Sequence, residues 1–119
     1  MKLEKIINEI EKIFPTKTAE EFDNVGLLLG KTDVECNKAL VCHDVTDEIV
    51  DEALNNNCQL IISYHPLIFK SLKKINYEDR IGRIVTKMIE NKLSLYSIHT
   101  SFDNLKNGLN FDLGKILNL

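Results

Sequence analysis

The sequence predicts an α/β protein with a mainly parallel sheet and helices on both faces of that sheet. From residue 39 onward, apolar runs and amphipathic segments follow the order strand–helix–strand–helix–strand. This order makes two crossover units, which connect parallel strands. The runs are continuously apolar, as is typical of strands buried on both faces. Because such crossovers are right-handed, we expect the three strands to end at one edge of the sheet.

The chain begins with a predicted amphipathic helix. Apolar residues recur at helical spacing over 3–14, and Pro15 ends the segment. Residues 19–30 read AEEFDNVGLLLG, an acidic turn followed by an apolar run between Gly26 and Gly30. The two glycines indicate bends or a close backbone approach. Their spacing matches neither G-x-G-x-x-G nor a Walker motif, so it does not support nucleotide binding of those kinds.

Two helices are predicted between the three strands. Thr46 is placed to cap the first helix, and carboxylates in its first turn favour the positive end of the helix dipole. Asp79 is placed to start the second helix, and Lys92 ends it. A short final helix follows Gly108. The predicted strands cover residues 39–45, 58–64 and 93–98.

Composition limits the classes of function. A length of 119 residues suffices for one small domain with its own core, so we expect 1–119 to be a single domain. The net charge is -3 and the charges are interspersed, which predicts no nucleic-acid partner. No apolar run reaches the roughly 20 residues of a membrane span. The charged, amphipathic N-terminal segment is unlike a signal peptide.

The cysteines predict a reduced, cytoplasmic protein. Cys36, Cys42 and Cys58 are odd in number, and no pair has C-x-x-C spacing. A disulfide framework or a structural zinc knuckle is therefore not expected. Cys42 and Cys58 lie in apolar runs, where a cysteine behaves as a small hydrophobic residue.

Polar residues follow two of the predicted strands. SYHPLIF begins at residue 63, and HTSFDN begins at residue 99. Ligand sites of open parallel sheets lie outside the carboxyl ends of the strands. Imidazole and carboxylate are ligands of zinc and similar metals. His65, His99 and Asp103 therefore predict a metal site at this edge, one that is incomplete within the chain.

These three candidates also have structural interpretations. His65 could cap its strand through a backbone hydrogen bond, and Asp103 could be a turn residue. His99 could be a ligand, a proton shuttle or a group that orients a ligand.

The run Cys42-His43-Asp44 resembles a catalytic triad only in composition. Successive strand side chains point to opposite faces, so we do not expect these three to converge. Asp44 could contact a metal-bound water or cap the next helix beside Thr46, and we favour capping. No function is assigned to His43.

Four segments together resemble the NGG-interacting factor family, whose members are often named GTP cyclohydrolase I type 2 proteins. Their order and spacing make the resemblance specific along nearly the whole chain. It implies an α/β fold, a cleft with two metal ions, and a homo-oligomer built from dimers, commonly a hexamer. It also implies a metal-dependent hydrolase that acts on a purine nucleotide or related ring. The segments are EFDNVGLLLG at 21–30, LVCHDVT at 40–46, IISYHPLIF at 61–69 and SIHTSFDN at 97–104.

The resemblance assigns roles to individual residues. His65 and Asp103 match metal ligands, and His99 matches a position beside the metals, where we expect it to transfer protons. Asp23 and Asn24 match a structural or site-lining motif.

Two departures from the family pattern bear on the site. Where the family usually has a histidine, this chain has Tyr64, whose phenol is a poor zinc ligand because its ordinary pKa is about 10. Trivalent iron could still bind a phenolate, so Tyr64 stays among the candidate metal ligands. The chain matches only the N-terminal half of the family, whose C-terminal half supplies a further histidine and glutamate.

Two functions therefore stand as hypotheses. The first is a protein that binds divalent metal ions (Zn, Fe, Mn or Mg) and resembles dinuclear hydrolases. The second, motivated by the missing ligands, is a non-catalytic oligomeric scaffold or interaction module of the same fold. A plain α/β domain with incidental histidines is a third interpretation, which the four matching segments disfavour.

Overall fold

A computed structural model describes residues 1–119 and confirms the predicted fold class. Four strands form one sheet in the order β1-β4-β3-β2. The strands are β1 (Gly26–Leu29), β2 (Ala39–Cys42), β3 (Leu60–Ser63) and β4 (Ser94–Ser97). The helices are α1 (Leu3–Ile13), α2 (Asp47–Asn55), α3 (Arg80–Glu90), α4 (His99–Asp103) and α5 (Leu109–Ile116). Strands β2, β3 and β4 are parallel, as predicted, whereas β1 is antiparallel to β4.

Helices pack on both faces of the sheet. On one face, α2 and α3 bury Val50, Ala53, Ile84, Val85 and Met88 against Ile61 and Leu95. On the other face, α1 buries Leu3 and Ile7 against Leu60 and Tyr96. Each such aliphatic side chain stabilises the fold by roughly 1.5–3 kcal/mol relative to exposure. The two cores hold the three parallel strands in place.

Strand β1 was not predicted from the sequence, which indicates only bends in this segment. Gly26 and Gly30 have φ values of +93° and +118°, so the bends exist at both ends of the run. A Cβ on Gly30 would lie 2.2 Å from Oγ of Ser94, which shows the close backbone approach. Three apolar residues between two glycines show no period that distinguishes a strand from a turn.

The β2 edge of the sheet is open on the α1 side. Val41 is 76% exposed there, and the largest apolar side chains of α5 are exposed as well. No helix combines the length and the apolar character that a membrane span needs.

Candidate metal centre

Three histidines lie together at the carboxyl ends of the parallel strands. The backbone N–H of His65 donates to the carbonyl of His43, and that of His99 donates to the carbonyl of Tyr64, both at 3.0 Å. These bonds extend the strand ladders past their ends. The ring of His65 lies 4.5 Å from that of His43 and 5.3 Å from that of His99, between centroids. The predicted convergence of His65 and His99 is therefore confirmed.

Two buried serines fix the backbone that carries these histidines. Ser63 and Ser97 are the last residues of their strands, and both are 0% exposed. The Ser63 hydroxyl donates to the His65 carbonyl at 2.8 Å, and the Ser97 hydroxyl donates to the Tyr64 carbonyl at 3.0 Å. Neither serine was predicted from the sequence to belong to the site. A serine at the end of an apolar strand, directly before a polar loop, was the available signal.

Asp44 pairs with His65. Nδ1 of His65 lies 2.8 Å from Oδ1 of Asp44, and both side chains are partly exposed. The hydrogen bond from His65 is the main cause that holds the pKa of Asp44 below its ordinary value. When Nδ1 carries the proton, Nε2 keeps the lone pair that a metal ion needs.

The prediction that Asp44 helps to cap α2 is wrong. Thr46 is the N-cap of α2, and its hydroxyl accepts from the N–H of Ile49 at 3.3 Å. Thr46 thus caps the helix as predicted, and Asp44 turns to the histidine instead.

His43 joins the same cluster. Its ring is parallel to that of Tyr64 within 9°, with centroids 5.1 Å apart. Ligand atoms of His43, Asp44 and His65 all lie within 4.8 Å of one another. Strand alternation was a poor guide here, because β2 ends at Cys42 and does not constrain the two residues after it. Burial raises the pKa of the Cys42 thiol to about 11, which makes it a poor nucleophile and agrees with the rejected triad.

Asp23 holds His99 in a second carboxylate–imidazole pair. Nδ1 of His99 lies 2.9 Å from Oδ1 of Asp23, whose side chain is 0% exposed. The same carboxylate accepts from the N–H of Asn24 at 2.8 Å, from the N–H of Thr100 at 3.1 Å and from the Thr100 hydroxyl. Burial alone would raise the pKa of Asp23, but these hydrogen bonds together hold it below its ordinary value. Asp23 and Asn24 therefore border the site, where Asn24 also donates to the carbonyl of Ile68 at 2.6 Å.

Tyr64 and Asp103 form a third pair. The phenol of Tyr64 donates to Oδ1 of Asp103 at 2.7 Å. Burial, and then this carboxylate, raise the pKa of Tyr64 to about 12. Asp103 is the last residue of α4, so the alternative interpretation of Asp103 as a turn residue is wrong. Tyr64 is thus a neutral hydrogen-bond donor, and ligation by Tyr64 or Asp103 stays a prediction.

The donor set fits a divalent transition metal. Imidazole nitrogen with carboxylate oxygen suits zinc, iron, nickel or manganese better than it suits calcium. Two of the three imidazoles already have an oriented partner, a common arrangement for histidines that bind metals.

The model of the Duf34/NIF3 (NGG1p interacting factor 3) family matches residues 1–119. A protein of Clostridium perfringens named "GTP cyclohydrolase 1 type 2 homolog" is 42% identical over 98% of this chain and 45% of its own length. "NIF3-like protein 1" of Drosophila melanogaster is 40% identical over 99% of this chain and 41% of its own length. The chain thus spans less than half the length of these curated relatives.

Solved structures agree with this assignment. A Bacillus cereus protein related to NIF3 superposes with a TM-score of 0.92 at 37% identity, over 100% of this chain and 33% of its own. Reduced HcgD from Methanocaldococcus jannaschii superposes with a TM-score of 0.91 at 32% identity, over 100% of this chain and 48% of its own.

Proposed function

Because the chain belongs to the DUF34/NIF3 family, we propose that it binds a divalent metal ion (Zn, Fe, Mn or Mg) and forms part of a metal-dependent hydrolase. The observation that carries this proposal is the pair of carboxylate-held imidazoles, His65 and His99, at one edge of the sheet. We propose His65 and Asp103 as ligands of the ion. Relatives named GTP cyclohydrolase 1 type 2 homolog support a purine nucleotide or related ring as the substrate class. We propose that the remaining ligands come from further polypeptide, either more of the same protein or another chain, which the greater length of those relatives supports.

Each residue has a defined part in this proposal. The ion would supply a Lewis acid that polarises water and a substrate oxygen. Asp44 keeps a proton on Nδ1 of His65, so that Nε2 is available as a ligand atom. Asp23 does the same for His99, whose Nε2 can then accept a proton and return it. Because Asp23 is buried and fixed by several donors, His99 keeps its orientation without help from a substrate.

Metal content is the direct test. Native protein and His65→Ala are loaded with zinc, iron or manganese, desalted and analysed by mass spectrometry. We expect at least a tenfold lower content in His65→Ala, because an imidazole ligand is lost. Asp112→Asn removes an exposed carboxylate on α5 and is the matched control. Near-zero content in native protein would contradict the proposal, and an unchanged content in Asp103→Ala would remove Asp103 from the ligand set.

A second candidate function is a non-catalytic oligomeric scaffold, as a family-like dimer or hexamer. The open β2 edge favours it, because an unpaired strand edge beside exposed apolar side chains is prone to association. Val41 is 76% exposed at this edge, and Ile116 and Leu117 of the C-terminal segment are 75% and 64% exposed.

Light scattering tests the scaffold. We expect native protein to associate and Val41→Glu to dissociate. Ile89→Glu is the matched control, because Ile89 is 54% exposed on α3, which packs on the opposite face of the sheet. A native protein that stays monomeric at every concentration would contradict this function, and rapid nucleotide hydrolysis with added metal would favour the first proposal.

Either function suits the cytoplasm proposed for this chain, since all three cysteines are free.

A further inference from the structure

We propose that His43 and Asp44 join His65 as a three-ligand site for a divalent transition metal, so that His43 supplies the second imidazole that Tyr64 does not. This inference rests on the proposed metal-binding function and names the ligand set that the chain itself provides. His43 and Asp44 belong to the loop after β2, and His65 belongs to the loop after β3.

The geometry of the three groups suits one ion. Their ligand atoms lie within 4.8 Å of one another, and Oδ1 of Asp44 is already 2.8 Å from Nδ1 of His65. For bonds of about 2.1 Å, ligand atoms on one ion lie between about 3 and 4 Å apart. The Asp44–His65 separation is thus close to that of neighbouring ligands, and the exposed His43 ring would have to move closer to complete the site.

The backbone limits how far these groups can separate. The N–H of His65 donates to the carbonyl of His43 at 3.0 Å, so the two loops leave the sheet side by side. The His43 ring rests on Tyr64 in a parallel stack and meets the His65 ring edge-on. These contacts reduce the freedom that the His43 imidazole would lose on binding an ion.

The opposite side of His65 is less ready for an ion. There, Oδ1 of Asp103 accepts the phenol proton of Tyr64 at 2.7 Å. An ion at that carboxylate oxygen must first displace a hydrogen bond from a neutral phenol. An ion at Asp44 would instead displace the hydrogen bond from the His65 imidazole, and that imidazole would itself become a ligand.

The proton balance is simple. An ion between Asp44 and His65 would use Nδ1 of His65 as the ligand atom instead of Nε2. The proton now on Nδ1 would then be carried by Nε2 of the same ring, and the imidazole would stay neutral. No oxidant or other reactant is needed. Two imidazoles and one carboxylate are the ligand set of non-haem Fe²⁺ sites and also suit Zn²⁺, Co²⁺ and Ni²⁺, whereas Mg²⁺ prefers oxygen ligands.

Titration of the 119-residue chain with Co²⁺, followed by visible absorption, tests the ligand set without any assay of activity. We expect native protein to bind one Co²⁺ with an imidazole-type spectrum. His43→Gln and Asp44→Asn should each weaken binding at least tenfold and change the spectrum. Asp103→Asn should weaken binding less than His43→Gln does, and Asp112→Asn is the matched control for an exposed carboxylate.

The outcomes separate this inference from the proposed function. If native protein binds no Co²⁺, both fail. If Asp103→Asn abolishes binding while His43→Gln and Asp44→Asn bind as the native chain does, the ion lies on the Asp103 side. The proposed function then stands and this inference is overturned. Circular dichroism verifies that the variants fold, as we expect because His43 and Asp44 are exposed.

Discussion

Two carboxylate–imidazole pairs lie at the same edge of the sheet and differ in their surroundings. The N···O distances are nearly equal, 2.9 Å for His99–Asp23 and 2.8 Å for His65–Asp44. The His99 and Asp23 side chains are 20% and 0% exposed, whereas those of His65 and Asp44 are 43% and 58% exposed. One pair is therefore part of the interior, and the other lies at the surface.

The same carboxylate–imidazole hydrogen bond is therefore held rigidly in one pair and loosely in the other. Asp23 also accepts hydrogen bonds from Thr100 and Asn24, so its position is fixed by three neighbours. Asp44 has its hydrogen bond from His65 alone and is free to exchange it. In the proposed function, the buried pair would hold His99 in a constant orientation for proton transfer, whereas the exposed pair would open to admit the ion.

Matched removal of the two carboxylate charges should give the largest contrast. We expect Asp23→Asn to lower the free energy of unfolding by about 2–4 kcal/mol, because an amide cannot accept all of these buried hydrogen bonds. Asp44→Asn should cost less than about 1 kcal/mol, as is usual for exposed ion pairs. Urea denaturation measures both values. Equal losses would show that burial does not distinguish the pairs.

Acid should reduce the difference in stability between native protein and Asp23→Asn. Hydrogen bonds in the folded state hold the pKa of Asp23 below its unfolded value. A carboxyl group with a depressed pKa contributes stability above the unfolded value of about 4, and this contribution is lost as the pH falls through the folded pKa. The stability gap between native protein and Asp23→Asn should therefore narrow below about pH 4.

Denaturant melts at several pH values from neutral to acidic measure this gap. The gap for Asp44→Asn should change in the same direction and by less, because solvent screens an exposed pair. A constant gap for Asp23 at all pH values would contradict the depressed pKa.

The sequence predicted the parallel part of the fold because its signals are long and periodic. Two crossover helices with apolar faces and three apolar runs left few alternatives, and they placed His65 and His99 at one edge. Strand β1 and helix α4 were missed, since four or five residues span too little of any period.

The partners of the histidines were not predictable in the same way. Asp23 and His99 are 76 residues apart in the chain, and they are brought together by the antiparallel edge strand and by hydrogen bonds from the segment before it to α4. The prediction for Asp44 depended on where β2 ends. Because the strand ends at Cys42, the side chains of the next two residues do not have to point to opposite faces of the sheet. Such boundaries are the least certain part of sequence interpretation, so His43 was left without a role.

The pair of Tyr64 and Asp103 lies between these two pairs in exposure, and its comparison with a surface pair should give the smallest difference in stability. We expect Tyr64→Phe to lower the free energy of unfolding by about 0.5–1.5 kcal/mol, because one hydrogen bond is lost from a half-buried position. Tyr77→Phe is the matched control, since its phenol donates to Glu90 at 2.9 Å on the exposed surface. The control should change stability by less than about 0.5 kcal/mol. Equal losses of unfolding free energy for the two variants in urea would show that the Tyr64 phenol is held no more strongly than a surface group. The hydrogen bond from Tyr64 would then be too weak to keep Asp103 from binding a metal ion.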